Sequence, residues 1–237
     1  MDIRWLNRDE MADPRSGFLV RWGRFTAICY RTIDEYRALL DQPLDRSALV
    51  FRKIALACLR SGHYSGCRHL HFEFSVTGIS RSCTHQLVRH ERFAPVNQQS
   101  SRYVNLSNAE FVMPPAVAAV PEAAAAFRAA IGEAQKAYGD LRRALERTGL
   151  KEEPVNEAAR MVLPQALMTA INLAPTFEAL VNMTRKRMCV RAEWEIREVV
   201  TALAAQVGEA IPELARSFGP ACRFGECGNP GIKSKIK

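Results

Sequence analysis

All five histidines, His63, His69, His71, His85 and His90, fall within 28 residues of a 237-residue chain. His69, His71 and Glu73 stand at alternate positions, and strand side chains repeat with period two, so the three would share one face and could hold a metal ion. A solvated polar strand face explains the same pattern. That second reading, with no metal, is preferred because His₂Glu zinc sites draw a pair of ligands from one helix and a third from elsewhere. The denser chemistry follows in Gln86-Leu-Val-Arg-His-Glu-Arg-Phe-Ala-Pro-Val-Asn-Gln-Gln-Ser-Ser-Arg-Tyr103. Such a run of amides, hydroxyls and guanidiniums can cradle a phosphate and a heterocycle together. Ordinary solvated loops are also polar, so the run alone leaves a binding site and a plain loop equally open.

Several mechanisms are excluded by what the chain lacks. It has no GxGxxG after a strand, no GxxxxGK[ST] loop, no HExxH helix and no GxSxG elbow, which disfavours the common nucleotide folds, zincins and serine hydrolases. Ser100 has no adjacent His-carboxylate pair to activate it, so it reads as a ligand contact rather than a nucleophile. Seven cysteines, Cys29, Cys58, Cys67, Cys83, Cys189, Cys222 and Cys227, are scattered without a disulfide spacing; reduced thiols are expected. Cys222 and Cys227 have no second pair to complete a tetrahedral zinc site.

The elements that must position these residues are readable in outline. Residues 19–32, with mixed β-branched and aromatic side chains, predict a strand, and Thr32 and Asp34 offer a helix start. Residues 45–60 repeat apolar side chains at helical spacing before Gly62. Residues 69–77 alternate, with Leu70, Phe72, Phe74 and Val76 on one face, and predict a second strand. Residues 80–90 read as a short helix capped by Ser80. After Pro121 a run of strong helix formers continues to Gly149, and 156–163, 165–173 and 191–211 give further helical segments punctuated by prolines.

The bulk properties agree with an ordinary folded α/β or α+β protein. The chain is 48% hydrophobic and 24% charged, values that exclude global disorder, collagen-like sequence and coiled coil. No apolar run reaches the length of a membrane span, and the charged N-terminus does not resemble a secretory signal, so a soluble cytoplasmic protein without a membrane partner is expected. The formal net charge is +8, and 26 of the 33 basic residues are arginine, which favours forked recognition of phosphate and carboxylate. No Gly/Ser-rich linker divides the chain. A single domain over 1–230 with a basic tail at 231–237 is expected.

With these residues in place, the sequence resembles the flavin-dependent thymidylate synthases. That family carries an Arg-His-Arg motif followed by Ser and then Arg-Tyr; here stand Arg89-His90, Arg92, Ser100 and Arg102-Tyr103, led by Ser80-Arg81 and His85-Gln86-Leu87-Val88. A second block, Glu157-Ala-Ala-Arg160-Met-Val-Leu-Pro164 and then Ala192-Glu193-Trp194-Glu195-Ile196-Arg197, resembles the family's Arg-x-Val-Leu-Pro segment and its Ala-Gln-Trp-Glu-Ile helix. The blocks cover residues near 62–103 and 156–198.

The resemblance implies an α+β fold with a central antiparallel sheet and long helices, a homotetramer with active sites at subunit interfaces, and bound FAD. It implies reductive methylation of a uridine 5′-monophosphate at C5, with methylenetetrahydrofolate as one-carbon donor and NADPH as reductant. The cofactor carries the hydride chemistry, so no cysteine need be catalytic. Matched residue by residue, Gln86, Arg89, Gln98, Ser100, Ser101, Arg102, Arg160 and Arg187 fall where the family holds the nucleotide. Of these Arg187 is the catalytic assignment, stabilising negative charge on the pyrimidine. Ser65, Arg89, His90, Arg92, Asn97, Asn182 and Arg191 match flavin-contacting positions. Departures are also present. Glu91 stands where the motif's second arginine belongs, unless it is inserted and Arg92 supplies the guanidinium. Pro95 replaces a polar residue, Gln98 replaces a common Glu, and Thr176, Glu178 and Arg191 stand where Asn, Arg and His are frequent. The default substrate is dUMP, the alternative UMP in specialised nucleoside synthesis such as peptidyl-nucleoside antibiotic pathways. A reading of another class, a basic protein whose polar loop binds nucleic acid, is disfavoured by the two ordered blocks.

Overall fold

The computed structural model describes residues 1–90 and 94–226. Glu91, Arg92 and Phe93 lie outside the described residues, as do Cys227 and the tail at 231–237. The fold is α+β. Its four-stranded antiparallel sheet is formed by β1 (Asp2–Trp5), β2 (Phe74–Ser80), β3 (Val96–Gln98) and β4 (Met168–Leu173), in the order β1-β2-β4-β3. The chain forms two compact units. One takes residues 1–2, 76–88 and 97–171, the other residues 3–75, 89–96 and 172–237; they are called the first and second unit below.

The second unit is built on a helix pair, Phe18–Thr26 and Leu44–Ser61. The strand expected over 19–32 is therefore a helix followed by a 3₁₀ turn, Ala27–Tyr30. Buried Phe18, Leu19, Trp22, Gly23 and Thr26 recur at three- and four-residue steps, a period that outweighs the β-branched and aromatic composition on which the strand reading rested. Gly23 explains the close packing of the pair, since a Cβ there would meet the carbonyl oxygen of Phe51 at 1.7 Å. Thr32 caps the next helix, Ile33–Leu40, through a capping box with Glu35. Gly62, at φ 74°, ends the helix Leu44–Ser61 as the sequence led one to expect.

An aromatic cluster fixes the rest of this unit. Phe177 meets Phe18, Trp22, Tyr64 and Phe218 with ring centroids 5.2 to 6.0 Å apart. Thr176, fully buried, caps the helix Phe177–Arg187 by accepting from the Ala179 amide at 3.2 Å. The strand expected over 69–77 starts only at Phe74. The preceding residues pair at a single bridge, His71 with Thr176, and the buried set Leu70, Phe72, Phe74 and Val76 holds nonetheless.

In the first unit Ser80 caps the helix Arg81–Leu87, its hydroxyl accepting from the Cys83 amide at 3.0 Å. The long helix after Pro121 runs to Glu146, and Glu152–Ala159 continues into a 3₁₀ turn, Arg160–Val162. The helix expected over 165–173 is instead β4, with Thr169, Ile171 and Leu173 buried at alternate positions. A short, mostly apolar run between Pro164 and Pro175 shows no helical period of its own, and sheet pairing decides its conformation. Helix Trp194–Ala210, in the second unit, matches the last expected helix but begins three residues later.

Candidate active site

The first unit holds a cavity of about 400 Å³ lined by Arg81, Thr84, His85, Val88, Gln98, Ser101, Arg160, Met161, Leu163, Pro164, Gln165 and Leu167. Arg81, Thr84, His85 and Val88 stand at i, i+3, i+4 and i+7, so one face of the Arg81–Leu87 helix and the turn after it forms a wall. The helix is seated by backbone amides of Arg81 and Ser82, which donate to the carbonyls of Leu167 and Gln165 at 2.9 and 3.1 Å. The polar groups are held in place by one another. Gln98 Nε2 donates to Thr84 Oγ1 at 3.0 Å, and Arg160 Nη1 donates to Ser101 Oγ at 2.9 Å.

Among the described residues no carboxylate lines this cavity. Burial, and behind it the charge of Arg160, push the Arg81 pKa down. An arginine nevertheless stays protonated, so two guanidiniums face one acid-free cavity and disfavour each other until an anion enters between them.

The loop bearing Ser101 is fixed from below. Tyr138 and Asn156 are fully buried. The tyrosine hydroxyl accepts from the Leu106 amide at 3.1 Å and donates to Asn156 Oδ1 at 3.4 Å, while Asn156 Nδ2 donates to the Arg102 carbonyl at 3.1 Å. The long helix thus anchors the backbone on which the cavity's serine sits.

A cavity of about 370 Å³ lies in the second unit, lined by Arg68, Arg89, His90, Glu178, Ala179, Asn182 and Lys186. Glu178, Asn182 and Lys186 follow at four-residue steps along the Phe177–Arg187 helix, which turns one polar face to the cavity. Beside it Arg187 Nε donates to His90 Nε2 at 2.8 Å. Burial first, then the charges of Arg187 and Lys186, push the His90 pKa down to about 4. The imidazole is neutral at pH 7, and because an arginine can only donate, its proton resides on Nδ1.

The site residues expected from sequence therefore divide. Gln98, Ser101 and Arg160 line the first cavity, and Arg89, His90 and Asn182 line the second. Arg102 lines neither; its Nη2 and Nε lie 2.5 and 2.8 Å from Glu153 and Glu157. Ser100 closes a turn, accepting from the Arg102 amide at 3.3 Å. Gln86 lies 140° around its helix from Arg81 and outside the lining set. Ser65, Asn97 and Arg191 are exposed and line neither cavity, and Arg191 draws the Cys189 thiol below its usual range. Arg187 reaches the second site through His90, and Arg92 is outside the described residues. Arg81, Thr84, His85 and Gln165 also line the first cavity, and the helical period that joins 81, 84, 85 and 88 is the sequence signal for the first three. Glu178, where the resemblance leads one to expect arginine, is paired with Arg68.

At the suggested metal face the backbone is tied to a neighbouring side chain. Asn7 donates to the His71 carbonyl and accepts from the Glu73 amide, at 3.0 and 2.9 Å, and His69 lies against Phe25 with ring centroids 4.2 Å apart. Among the described residues no three side chains are grouped as metal ligands, and no helix is long and apolar enough to cross a membrane.

The first cavity carries two arginines and the second three cationic side chains, donor sets whose chemistry suits small phosphorylated ligands. Comparison with known proteins narrows that class. The model of the family described as thymidylate synthase complementing protein matches residues 20–213. A flavin-dependent thymidylate synthase of Nitratidesulfovibrio vulgaris is 43% identical over 170 residues, 71% of this chain and 69% of that protein. Proteins of the same name from Clostridium tetani and Geobacter sulfurreducens are 38% and 35% identical, covering 84% and 86% of this chain and 82% and 84% of their own lengths. The chain belongs to the thymidylate synthase complementing protein family.

Proposed function

We propose that the chain is an enzyme that methylates dUMP reductively at C5 to give dTMP, using FAD as cofactor, methylenetetrahydrofolate as one-carbon donor and NADPH as reductant. The observation that carries the reading is the acid-free cavity with Arg81 and Arg160 on its walls, in a chain whose relatives are named flavin-dependent thymidylate synthases. That name favours dUMP over UMP.

In this reading Arg81 and Arg160 take the 5′-phosphate, and the Ser101 hydroxyl, oriented by Arg160, adds a further contact. The amides of Gln98 and Gln165 have both donors and acceptors for the edge of a pyrimidine. Arg187 is assigned to the negative charge that develops on the ring, on the strength of the resemblance, with His90 fixing its Nε. Arg102 is assigned to the nucleotide on the same ground, which requires it to exchange a carboxylate of Glu153 or Glu157 for the ligand. Gln86, Arg89 and Ser100 complete the set that the resemblance supplies.

The second cavity fits the anionic part of a flavin nucleotide, since Arg68, Arg89 and Lys186 bring three cations to it and Asn182 an amide. Bound flavin would supply the hydride chemistry that side chains lack. Ser65, Asn97, Arg92 and Arg191 remain flavin-side assignments from the resemblance. We assign the activity to a cytoplasmic homotetramer, with residues 1–230 as one catalytic domain and mononucleotide rather than nucleic acid as its partner.

The test is an assay of purified protein with FAD, NADPH and methylenetetrahydrofolate, offering dUMP and UMP separately and identifying products by mass. Methylation of dUMP is expected. Protein that binds flavin yet methylates neither nucleotide would overturn the proposal, and 5-methyl-UMP as the main product would move it to the other substrate.

A further inference from the structure

One residue in the wall of the second cavity carries the wrong charge for an anion site. Glu178 faces it together with Arg68, Arg89 and Lys186, and a lone carboxylate there would repel a phosphate. It is not alone. Arg68 Nε donates to one carboxylate oxygen at 2.6 Å and Nη2 to the other at 3.2 Å, a side-on fork that fixes the guanidinium plane. Among the described residues, with His90 neutral, the wall keeps three cations against one carboxylate.

Both ends of the pair are anchored on one contact. Arg68 follows the 3₁₀ turn Ser65–Cys67, whose buried Cys67 thiol donates to the Tyr64 carbonyl at 3.1 Å. The Tyr64 ring meets Phe177 edge to face at 5.2 Å, and Phe177 directly precedes Glu178. One aromatic contact therefore joins the turn presenting the guanidinium to the helix end presenting the carboxylate. The side chains are 47% and 26% exposed, so a pair this wet adds little to stability while remaining open to a ligand.

We propose that Arg68 is a binding residue for the phosphate part of the flavin nucleotide and that Glu178 is its positioning residue. The inference rests on the reading of this cavity as the flavin site. An unheld arginine would have to give up its rotamer freedom on binding, whereas the fork with Glu178 has already restricted it.

The experiment compares FAD with riboflavin, which has the flavin ring but no phosphate, by flavin fluorescence on wild-type protein, Arg68→Ala, Arg68→Glu and the double exchange Arg68→Glu with Glu178→Arg. Melting curves are recorded for each. Arg68→Ala is expected to weaken FAD about 10- to 100-fold and to leave riboflavin within about twofold. Arg68→Glu is expected to weaken FAD further, by placing two carboxylates on the wall, and the double exchange to recover most of that loss. Unchanged FAD affinity in Arg68→Ala, equal losses for FAD and riboflavin, or a double exchange no better than Arg68→Glu would each overturn the assignment. Wild-type protein that binds neither flavin would instead sink the reading of the cavity, and this inference with it.

Discussion

Replacing Arg187 by Met should release the neutral state of His90. The substitution removes both the N–H that donates to Nε2 at 2.8 Å and one of the two charges that, after burial, hold the imidazole pKa down from 6.5 to about 4. Burial and Lys186 remain, so only part of the shift is lost. A hydrogen bond from a charged donor is worth about 1.5–3 kcal/mol, and the half-exposed ring reduces this by screening, leaving a rise of about one pH unit. The readout is the chemical shift of the imidazole Cε1–H against pH, with His90 picked out of five histidines by comparison with His90→Gln. The same titration bears on stability. Because the folded value lies below the unfolded one, the unfolded chain binds the extra proton between pH 6.5 and about 4. This contribution is intact above pH 6.5 and is lost as pH falls through that window. For a partly exposed group it amounts to roughly 1–2 kcal/mol, and Arg187→Met should shrink it. A wild-type His90 titrating near 6.5 would refute the geometry, and a variant still titrating near 4 would show that burial and Lys186 set the value without Arg187.

Other perturbations test the remaining parts of the site. Arg160→Ala should weaken dUMP binding by about 10- to 100-fold, measured by calorimetry; a change under twofold would remove it from the phosphate. Glu157→Gln should tighten dUMP by up to about fivefold if Arg102 exchanges a carboxylate for the nucleotide, and no change would take Arg102 out of the binding set. Tyr138→Phe deprives the buried Leu106 amide and Asn156 of a partner, so denaturant unfolding should show a loss of about 1–3 kcal/mol; a neutral result would mean the hydroxyl's bonds carry no net weight. Gly23→Ala, which drives a methyl group into the Phe51 carbonyl, should cost about 3 kcal/mol or more, and a melting temperature unchanged from wild type would contradict the close helix contact.

Local signals were read well from sequence, and contests between long-range packing and composition were not. Thr32, Ser80, Gly62 and Gly149 announce helix ends through side-chain caps and left-handed backbone, which depend on a few neighbouring residues. The strand expected over 19–32 gave way to the helix Phe18–Thr26 because β-branched and aromatic side chains are tolerated in a helix once its buried stripe finds a partner, here the helix Leu44–Ser61. Residues 168–173 failed for the opposite reason, an apolar run being compatible with either period. At the site, the amides and guanidiniums after Gln86 were singled out by their density, yet the wall of the first cavity is set by the preceding helix. Arg81 and His85 are separated from the polar run by sequence and joined to it only by the 100° turn per residue. The pairing of Arg68 with Glu178, 110 residues apart, has no local signature.

The two units are braided along the chain, and this orders their completion during synthesis. The second unit receives residues 3–75 early but its helix Phe177–Arg187 only after the whole stretch 97–171. Phe18, Trp22 and Tyr64 emerge without Phe177, the ring they all pack against. Arg187 follows Tyr64 by 123 positions, which at translation rates of 5–20 residues per second is a wait of roughly 6–25 s. For that interval the nascent chain carries an unfinished aromatic surface, and it is there that a chaperone or a neighbouring nascent chain would find its hold.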